Sequence, residues 1–393
     1  MPVDDVLARV DKHYKRPILK RAGQSSSPFQ LRRPTGIASL DISMGGGWPA
    51  GGVSEIAAPP GIGKNALCNQ TIRWCQRTYG DEACVAWITL ELSGYDKPHA
   101  HICGVKVAMS DYELKLENLS RKKQGRKKLS ATDIKRRRQQ IGEFLIADEG
   151  STAQRLQACV ELVQENLCQI IVIDSLAAFV SEARDDTDLD DEPQQSAEAR
   201  LATEFQKKLW SAYCNPINGD INLTTVLAIN QVRANRTKRS PFDRAWTVPG
   251  AYAIRHGKLV DVVLQPGTGI YMTPGGKETA RADKKNTKIG KQVKWSIAKG
   301  KAGCHEGPSG EYPYYFSWGA DIYTDLLVTA KDCGVIRQKG DRYYLLDHDN
   351  EVIQEDEGGF DEMKEWVSSS DAAFDAVYWL IMRRNKLKCV HKL

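Results

Sequence analysis

Gly61, Gly63, Lys64, Glu91 and Asp174 are the residues whose types and spacing most suggest chemistry, and that chemistry is the handling of a phosphate chain. The first three lie in Glu55-Ile56-Ala57-Ala58-Pro59-Pro60-Gly61-Ile62-Gly63-Lys64-Asn65. A short apolar run, Val53 to Ala57, enters this stretch, and a helix-like run, Ala66 to Tyr79, leaves it. Strand, small-residue loop and helix in that order form a phosphate loop. Small residues let backbone N–H groups reach phosphate oxygens, the helix N-terminus adds a positive dipole end, and the lysine reaches the outer phosphates. Pro59, Pro60, Gly61, Ile62, Gly63, Lys64, Asn65 and Ala66 are the candidate phosphate-contacting residues. Two positions depart from G-x-x-x-x-G-K-[ST]: Ala58 stands for the first glycine, and Asn65 for the hydroxyl residue that would hold magnesium. Asn65 offers an amide oxygen, a weaker ligand for a hard cation, so slow turnover is expected.

The elements that must position this loop are continuous apolar runs. Cys84 to Leu90 ends at Glu91, Gln169 to Ile173 ends at Asp174 and Ser175, and Thr224 to Asn230 ends at Gln231. Helical patterns at 153–167 and 197–212 separate them. Such alternation predicts a parallel sheet covered on both faces, with ligands beyond the carboxyl ends of its strands. Strands at Leu259–Leu264 and Gln292–Ile297 extend the sheet, with a Gly-, Lys- and Thr-rich tip between them. Asp174 reads as a magnesium ligand or as a helix cap. Glu91 reads as a general base for water attacking a γ-phosphate, or as a solvated strand-end acid. Gln231 is an amide able to report a γ-phosphate to the segment that follows it.

That segment, Val232 to Trp246, is basic and carries aromatics: Arg233, Arg236, Lys238, Arg239 and Arg244 with Phe242 and Trp246. Cations neutralise a nucleic-acid backbone and aromatic rings stack on bases, whereas a plain charge run is a solvated face. A second basic stretch, Arg121 to Arg138, holds one acid, Asp133, and reads equally as a DNA contact or as a solvated helical hairpin inserted at 115–140. Residues 185–192 are strongly acidic. Lys299 and Lys301 close a strand, where lysines are normally solvated.

At 393 residues the chain can hold one large core with small appendages, and its net charge, 55 − 50 = +5, is modest but unevenly spread. No apolar run approaches membrane-spanning length and no secretory leader is visible, so no membrane partner and a cytoplasmic location are expected. The ten cysteines form no C-x-x-C and read as reduced buried thiols rather than disulfides or a metal site. The expected organisation is an N-terminal helical arm and linker (1–33), an α/β core with a mostly parallel central sheet (34–324), and a small α+β C-terminal domain (325–393). The arm, with a helix over Val3–Tyr14, reads as a dock for a neighbouring copy or as a disordered tail.

With these residues in place, the chain from Pro34 to Leu345 resembles the RecA recombinases, including the phage-encoded UvsX-like members. Ile229-Asn230-Gln231-Val232-Arg233 is the most specific stretch, resembling the family's sensor glutamine at the start of its second DNA loop. Thr35-Gly36, Gly51 to Ile56 and Ile171 to Ser175 are similar to the entry of the phosphate loop and to the acid-bearing strand. The resemblance implies a RecA-like P-loop ATPase core using ATP and Mg2+, with Glu91 as catalytic glutamate and with Asn65 and Asp174 at the metal. It implies that Lys299 and Lys301 reach ATP across a subunit interface, so Lys64, Gln231, Lys299 and Lys301 join Glu91 as catalytic candidates. Asp96 and His99 fall where the family contacts adenine. It places DNA loops at about 182–197, before Arg200, and at 232–256, ending near Gly250 and Ala251.

The implied activity is DNA-dependent ATP hydrolysis coupled to strand exchange. Protomers would self-associate into a helical filament on single-stranded DNA, pair it with homologous double-stranded DNA, and work with single-strand-binding and mediator proteins. Two rivals share these residues: an accessory protein with weak ATPase and no strand exchange, and a hexameric helicase-type motor. The insertion at 115–140 and the basic C-terminus depart from the family. The latter implies less competition with DNA for basic surface, testable by truncation near residue 380.

Overall fold

The computed structural model describes residues 2–15, 19, 21, 28–91, 94–178, 195–218, 221–234, 246–247, 257–347, 349–356 and 359–387. Helix α1 (Val3–Tyr14) has Asp4 and Asp5 in its first turn and Lys12 and His13 in its last, the order the helix dipole favours. Strands β1 (Arg32–Arg33) and β2 (Trp48–Pro49) pair antiparallel on either side of α2 (Ala38–Ser43).

The apolar runs then form the central sheet. β3 (Gly52–Ala58), β4 (Cys84–Thr89) and β6 (Ile170–Asp174) are buried along their whole length. β7 (Thr225–Gln231) runs parallel to β3 on one side and to β6 on the other, and β6 runs parallel to β4. A further strand, β5 (Glu143–Ala147), extends β4 in parallel and forms the edge. Sequence reasoning did not mark β5, because half-exposed edge positions break the continuous apolar run that reveals the buried strands.

Ile56, Trp87 and Val172 point to a core shared with α3 (Lys64–Tyr79), while Ala86, Ile88, Ile171 and Ile173 point to one shared with α7 (Thr152–Gln164) and α8 (Gln195–Cys214). Burying both faces stabilises each fully covered Ile, Val or Leu by roughly 1.5–3 kcal/mol. The connection from β4 to β5 carries α4 (Lys97–Ile102), α5 (Asp111–Lys123) and α6 (Ala131–Arg137).

Beyond β7, the short strands β8 (Arg233–Ala234) and β9 (Trp246–Thr247) pair with each other. β10 (Val260–Met272) lies parallel to β3, carries β11 (Glu278–Thr279) at its far end, and pairs antiparallel with β12 (Thr287–Gly300). β13 (Ser309–Tyr315) and β14 (Gly319–Ala320) complete the antiparallel flank. The order is β14-β13-β12-β10-β3-β7-β6-β4-β5. The fold is thus α/β with a mostly parallel central sheet.

The C-terminal elements are α9 (Ile322–Asp332), the antiparallel strands β15 (Ile336–Lys339), β16 (Arg342–Leu346) and β17 (Val352–Asp356), and helices α10 (Phe360–Ser369) and α11 (Asp371–Arg384). They share the core of α3. Tyr378 packs on Trp74 at 4.9 Å between ring centroids and donates to the buried Asp41 at 3.0 Å. Burial raises the Asp41 carboxyl to about 7. The expected truncation near residue 380 is not a clean test of the basic C-terminus, because it would remove Ile381 and Met382, which are buried, and open this core. Similarly, α8 begins at Gln195, so residues 195–197 belong to a helix and not to the expected loop 182–197.

Candidate nucleotide site

The phosphate loop leaves β3 at Ala58. That residue is still in the strand, paired with Gln231, and is fully buried. No left-handed backbone is needed there, so alanine substitutes for glycine without strain. Gly61 and Gly63 do need it, with φ of 71° and 107°. Gly63 is the residue before α3, and its carbonyl accepts from Leu67 at 3.0 Å to start the helix. The Lys64 ammonium arches back over the loop and donates to the carbonyls of Ala58 at 3.1 Å and Pro59 at 3.2 Å. Burial lowers its pKa against the opposing charges of Asp174 and Glu91.

Adjacent strands bring the remaining groups to the same end of the sheet. Asn65 Nδ2 donates to Asp174 Oδ2 at 2.9 Å. Asp174 is 6% exposed, and its carboxyl is pushed up to about 6, first by burial and then by the charge of Glu91. The amide of Asn65 and the ammonium of Lys64 oppose that rise. Ser175 Oγ donates to Glu91 Oε1 at 2.5 Å, and Gln231 Nε2 reaches the same oxygen at 3.5 Å. Glu91 is therefore held from two strands at once, and the solvated strand-end reading of this acid does not describe its surroundings. Ser175 is a site neighbour that sequence reasoning passed over, although its place directly after Asp174 was a signal.

Two further groups come from the antiparallel flank, where no motif marked them. Tyr314 of β13 sits beside Gly63, whose added Cβ would meet the ring at 3.6 Å, and its hydroxyl lies 3.3 Å from His99 Nε2. Lys291 of β12 donates to the Gly61 carbonyl on the loop itself, with its ammonium 5.7 Å from the Phe316 ring. His99 is thereby tied to the loop through Tyr314, and burial lowers its pKa. Asp96 is the N-cap of α4 and accepts from the His99 N–H at 2.9 Å.

Beneath the loop, Glu55 of β3 is buried and takes a 2.8 Å bond from Lys258, which also meets Asp261 at 3.1 Å. This network joins the phosphate-loop strand to the segment following residues 232–256.

Lys299 and Lys301 are not brought to the loop of their own chain. Gly300 pairs with Val260, which pairs with Ser54, four strand residues short of Ala58. That is roughly 13 Å along the strand. Arg200 is exposed on α8. Arg233 lies on β8 opposite Thr247, and Trp246 lies on β9 opposite Ala234. The expected DNA contacts Arg236, Lys238, Arg239, Arg244, Gly250 and Ala251 fall outside the described residues, as does most of the 182–197 loop.

Among the described residues no group of three or more His, Cys, Asp or Glu side chains is arranged to hold a metal ion, and nine cysteines are free thiols. Magnesium needs no such cage, since it binds through one or two carboxylates, water and substrate phosphates. The residues present fit it. Asp174 is a buried carboxyl raised by burial and by Glu91, so a cation beside it would favour its ionised form, and the Asn65 amide adjoins it through its N–H. Among the described residues no helix is long and apolar enough to cross a membrane.

A mostly parallel sheet with a glycine loop opening one helix and acids at the neighbouring strand ends defines a P-loop type α/β protein. Among known proteins, the chain is 24% identical over 380 residues to the RecA protein of Streptococcus mutans, spanning 95% of this chain and 82% of that one. It is 24% identical over 377 residues to the RecA protein of Chloroflexus aurantiacus, spanning 95% and 89%. The RecA protein of Streptococcus thermophilus is 25% identical over 343 residues, with 86% of this chain and 75% of that one aligned. A crystal structure of the RadB recombinase overlaps 73% of this chain and 98% of its own with a TM-score of 0.41 and 16% identity. No family model matches the chain.

Proposed function

We propose that the chain is an ATP-dependent DNA strand-exchange protein that assembles as a helical filament on single-stranded DNA. The observation that carries this reading is the shared oxygen of Glu91, bonded by Ser175 Oγ at 2.5 Å and approached by Gln231 Nε2 at 3.5 Å. It links the candidate base to the residue that opens the basic, aromatic segment 232–256. Loss of a γ-phosphate at Gln231 is thereby coupled to the grip on DNA, an order–disorder switch of the kind nucleotide hydrolysis drives elsewhere. Similarity to RecA proteins along 95% of the chain supports the same reading.

In this assignment Lys64 and the loop amides hold the outer phosphates of ATP. Asp174 and Asn65 would hold Mg2+, which supplies charge neutralisation on the phosphate oxygens. Glu91 orients and deprotonates the attacking water, with Ser175 fixing its carboxylate. His99 and Asp96 lie on the adenine side, and Lys299 and Lys301 act on the nucleotide of a neighbouring subunit. Their displacement from their own loop supports action between subunits.

A D-loop assay with ATP and with a slowly hydrolysed analogue tests the proposal. Joint-molecule formation in both, lost in Lys64→Ala, is expected. ATP and DNA binding without joint molecules would overturn strand exchange and leave an accessory role. Electron micrographs showing closed rings would leave a motor.

A further inference from the structure

We infer that the tip of the α5–α6 hairpin is a docking surface for the phosphate backbone of duplex nucleic acid, separate from the nucleotide site and from the 232–256 segment. Six of the eight residues from Arg121 to Lys128 are Lys or Arg, with no acid and no apolar side chain among them. Lys122, Lys123, Arg126, Lys127 and Lys128 are exposed.

The hairpin that carries them is folded and internally bonded, unlike a solvated charge run. Capping boxes at Ser110/Glu113 and Ser130/Asp133 fix the starts of both helices. Met109, Leu114 and Leu129 form a small core of their own. Arg137 and Glu117 pair at 2.9 Å with side chains only 14% and 9% exposed, and Asn118 accepts from the Leu129 N–H at 2.7 Å. These bonds hold the two helices in register and present the tip cations together, so the backbone needs little further ordering on binding and the remaining cost is side-chain rotamer freedom.

The hairpin's own carboxylates leave the tip net positive: Asp133, tied to Ser130, acts on Arg121 but on none of the five exposed tip cations named above. Glu117 and Asp111 are engaged by Arg137 and Arg138 at its root. Positive charge also accumulates towards the root: the half-buried His101 is held at about 4, first by burial and then by Arg137, Lys106 and Lys97.

The chemistry of the tip selects its partner. It offers no ring on which a single-strand base could stack, so it reads charge and not bases. Duplex DNA presents one phosphate per about 1.7 Å of axis, the denser polyanion. Residues 121–128 hold no apolar side chain to enter a bilayer or anchor a protein partner, and the exposed Tyr112, Leu116 and Leu119 lie earlier on α5, outside the tip. The inference does not depend on the nucleotide site, and its test is made without nucleotide.

The experiment compares the full chain with a variant in which Lys122, Lys123, Arg126, Lys127 and Lys128 are replaced by Gln. Binding to a random-sequence duplex is followed by fluorescence anisotropy from about 50 to 200 mM salt. A charge-matched control replaces the exposed Lys277, Arg281, Lys284, Lys285 and Lys288 by Gln. The tip variant should bind duplex at least tenfold more weakly at low salt. Its slope of log K against log salt should shrink by up to about 4.5, at about 0.9 for each of five phosphate contacts. The control should change binding less than threefold, and single-strand binding with ATP should persist in both. Unchanged duplex binding in a tip variant with intact helix content, or an equal loss in the control, overturns the inference. The first of these outcomes would leave the tip to an acidic protein partner.

Discussion

Asp174→Asn should make the protein more stable at pH 8 while weakening the proposed Mg2+-dependent nucleotide binding. Burial and the neighbouring Glu91 raise the Asp174 carboxyl from 3.8 to about 6. An acid whose pKa is raised on folding is stabilising only while protonated. Its favourable contribution is complete below about pH 4 and is lost as pH rises through 6. At pH 8 the ionised group therefore costs about 3 kcal/mol relative to the unfolded chain, at about 1.4 kcal/mol per unit. Asparagine keeps the shape and can still accept from Asn65, so most of that cost should disappear. With unfolding entropy near 2 cal/mol/K per residue, a cooperative chain of 393 residues would gain about 3 °C in Tm. The assay is thermal unfolding without Mg2+ or nucleotide at pH 4.5 and pH 8. The gain should be near its maximum at pH 8 and about a third of that at pH 4.5. Adding Mg2+ and nucleotide should raise the wild type more than the variant, because a carboxylate is the stronger ligand for the proposed cation. A variant less stable at pH 8, or an equal difference at both pH values, would refute the claim that burial outweighs the partners of Asp174.

Other outcomes follow from the same geometry. Asn65→Thr restores a hydroxyl at the start of α3 and should raise ATP turnover several-fold, read by steady-state phosphate release; an unchanged rate would remove Asn65 from the metal site. Glu91→Gln should keep ATP and DNA binding and lower turnover by at least 100-fold, whereas Ser175→Ala, which frees the Glu91 carboxylate, should lower turnover about tenfold with little change in KM. Mg2+-dependent nucleotide binding should weaken as pH falls below about 6, where Asp174 takes up a proton, by up to tenfold per unit in a titration calorimeter. Neutralising Arg233, Arg236 and Arg239 together should weaken single-strand binding and flatten its salt dependence, and an unaltered slope would remove that segment from the DNA path.

The buried strands were legible because both faces of a parallel sheet are covered, which forces continuous apolar runs ending where the chain turns to polar residues. Glu91, Asp174 and Gln231 each stand at such an ending. β5 was not legible because an edge strand obeys a weaker pattern. The same holds for Lys291 and Tyr314, which lie on antiparallel strands some 230 and 250 residues beyond the loop they touch. Nothing local to them encodes that proximity.

The sequence by itself determined the chemical alphabet of the site: glycines at 61 and 63, a lysine, two acids and an amide, each at a strand end. Local backbone demands and hydrophobic patterning act over a few residues, so they can be read along the chain. Only the tertiary structure decided how those groups meet. It showed that Ala58 needs no glycine because it is still in β3, that Asn65 bonds Asp174, and that Ser175 and Gln231 converge on one oxygen of Glu91. Strand order and register set these distances, and they arise from packing of segments far apart in the chain, which no local rule specifies.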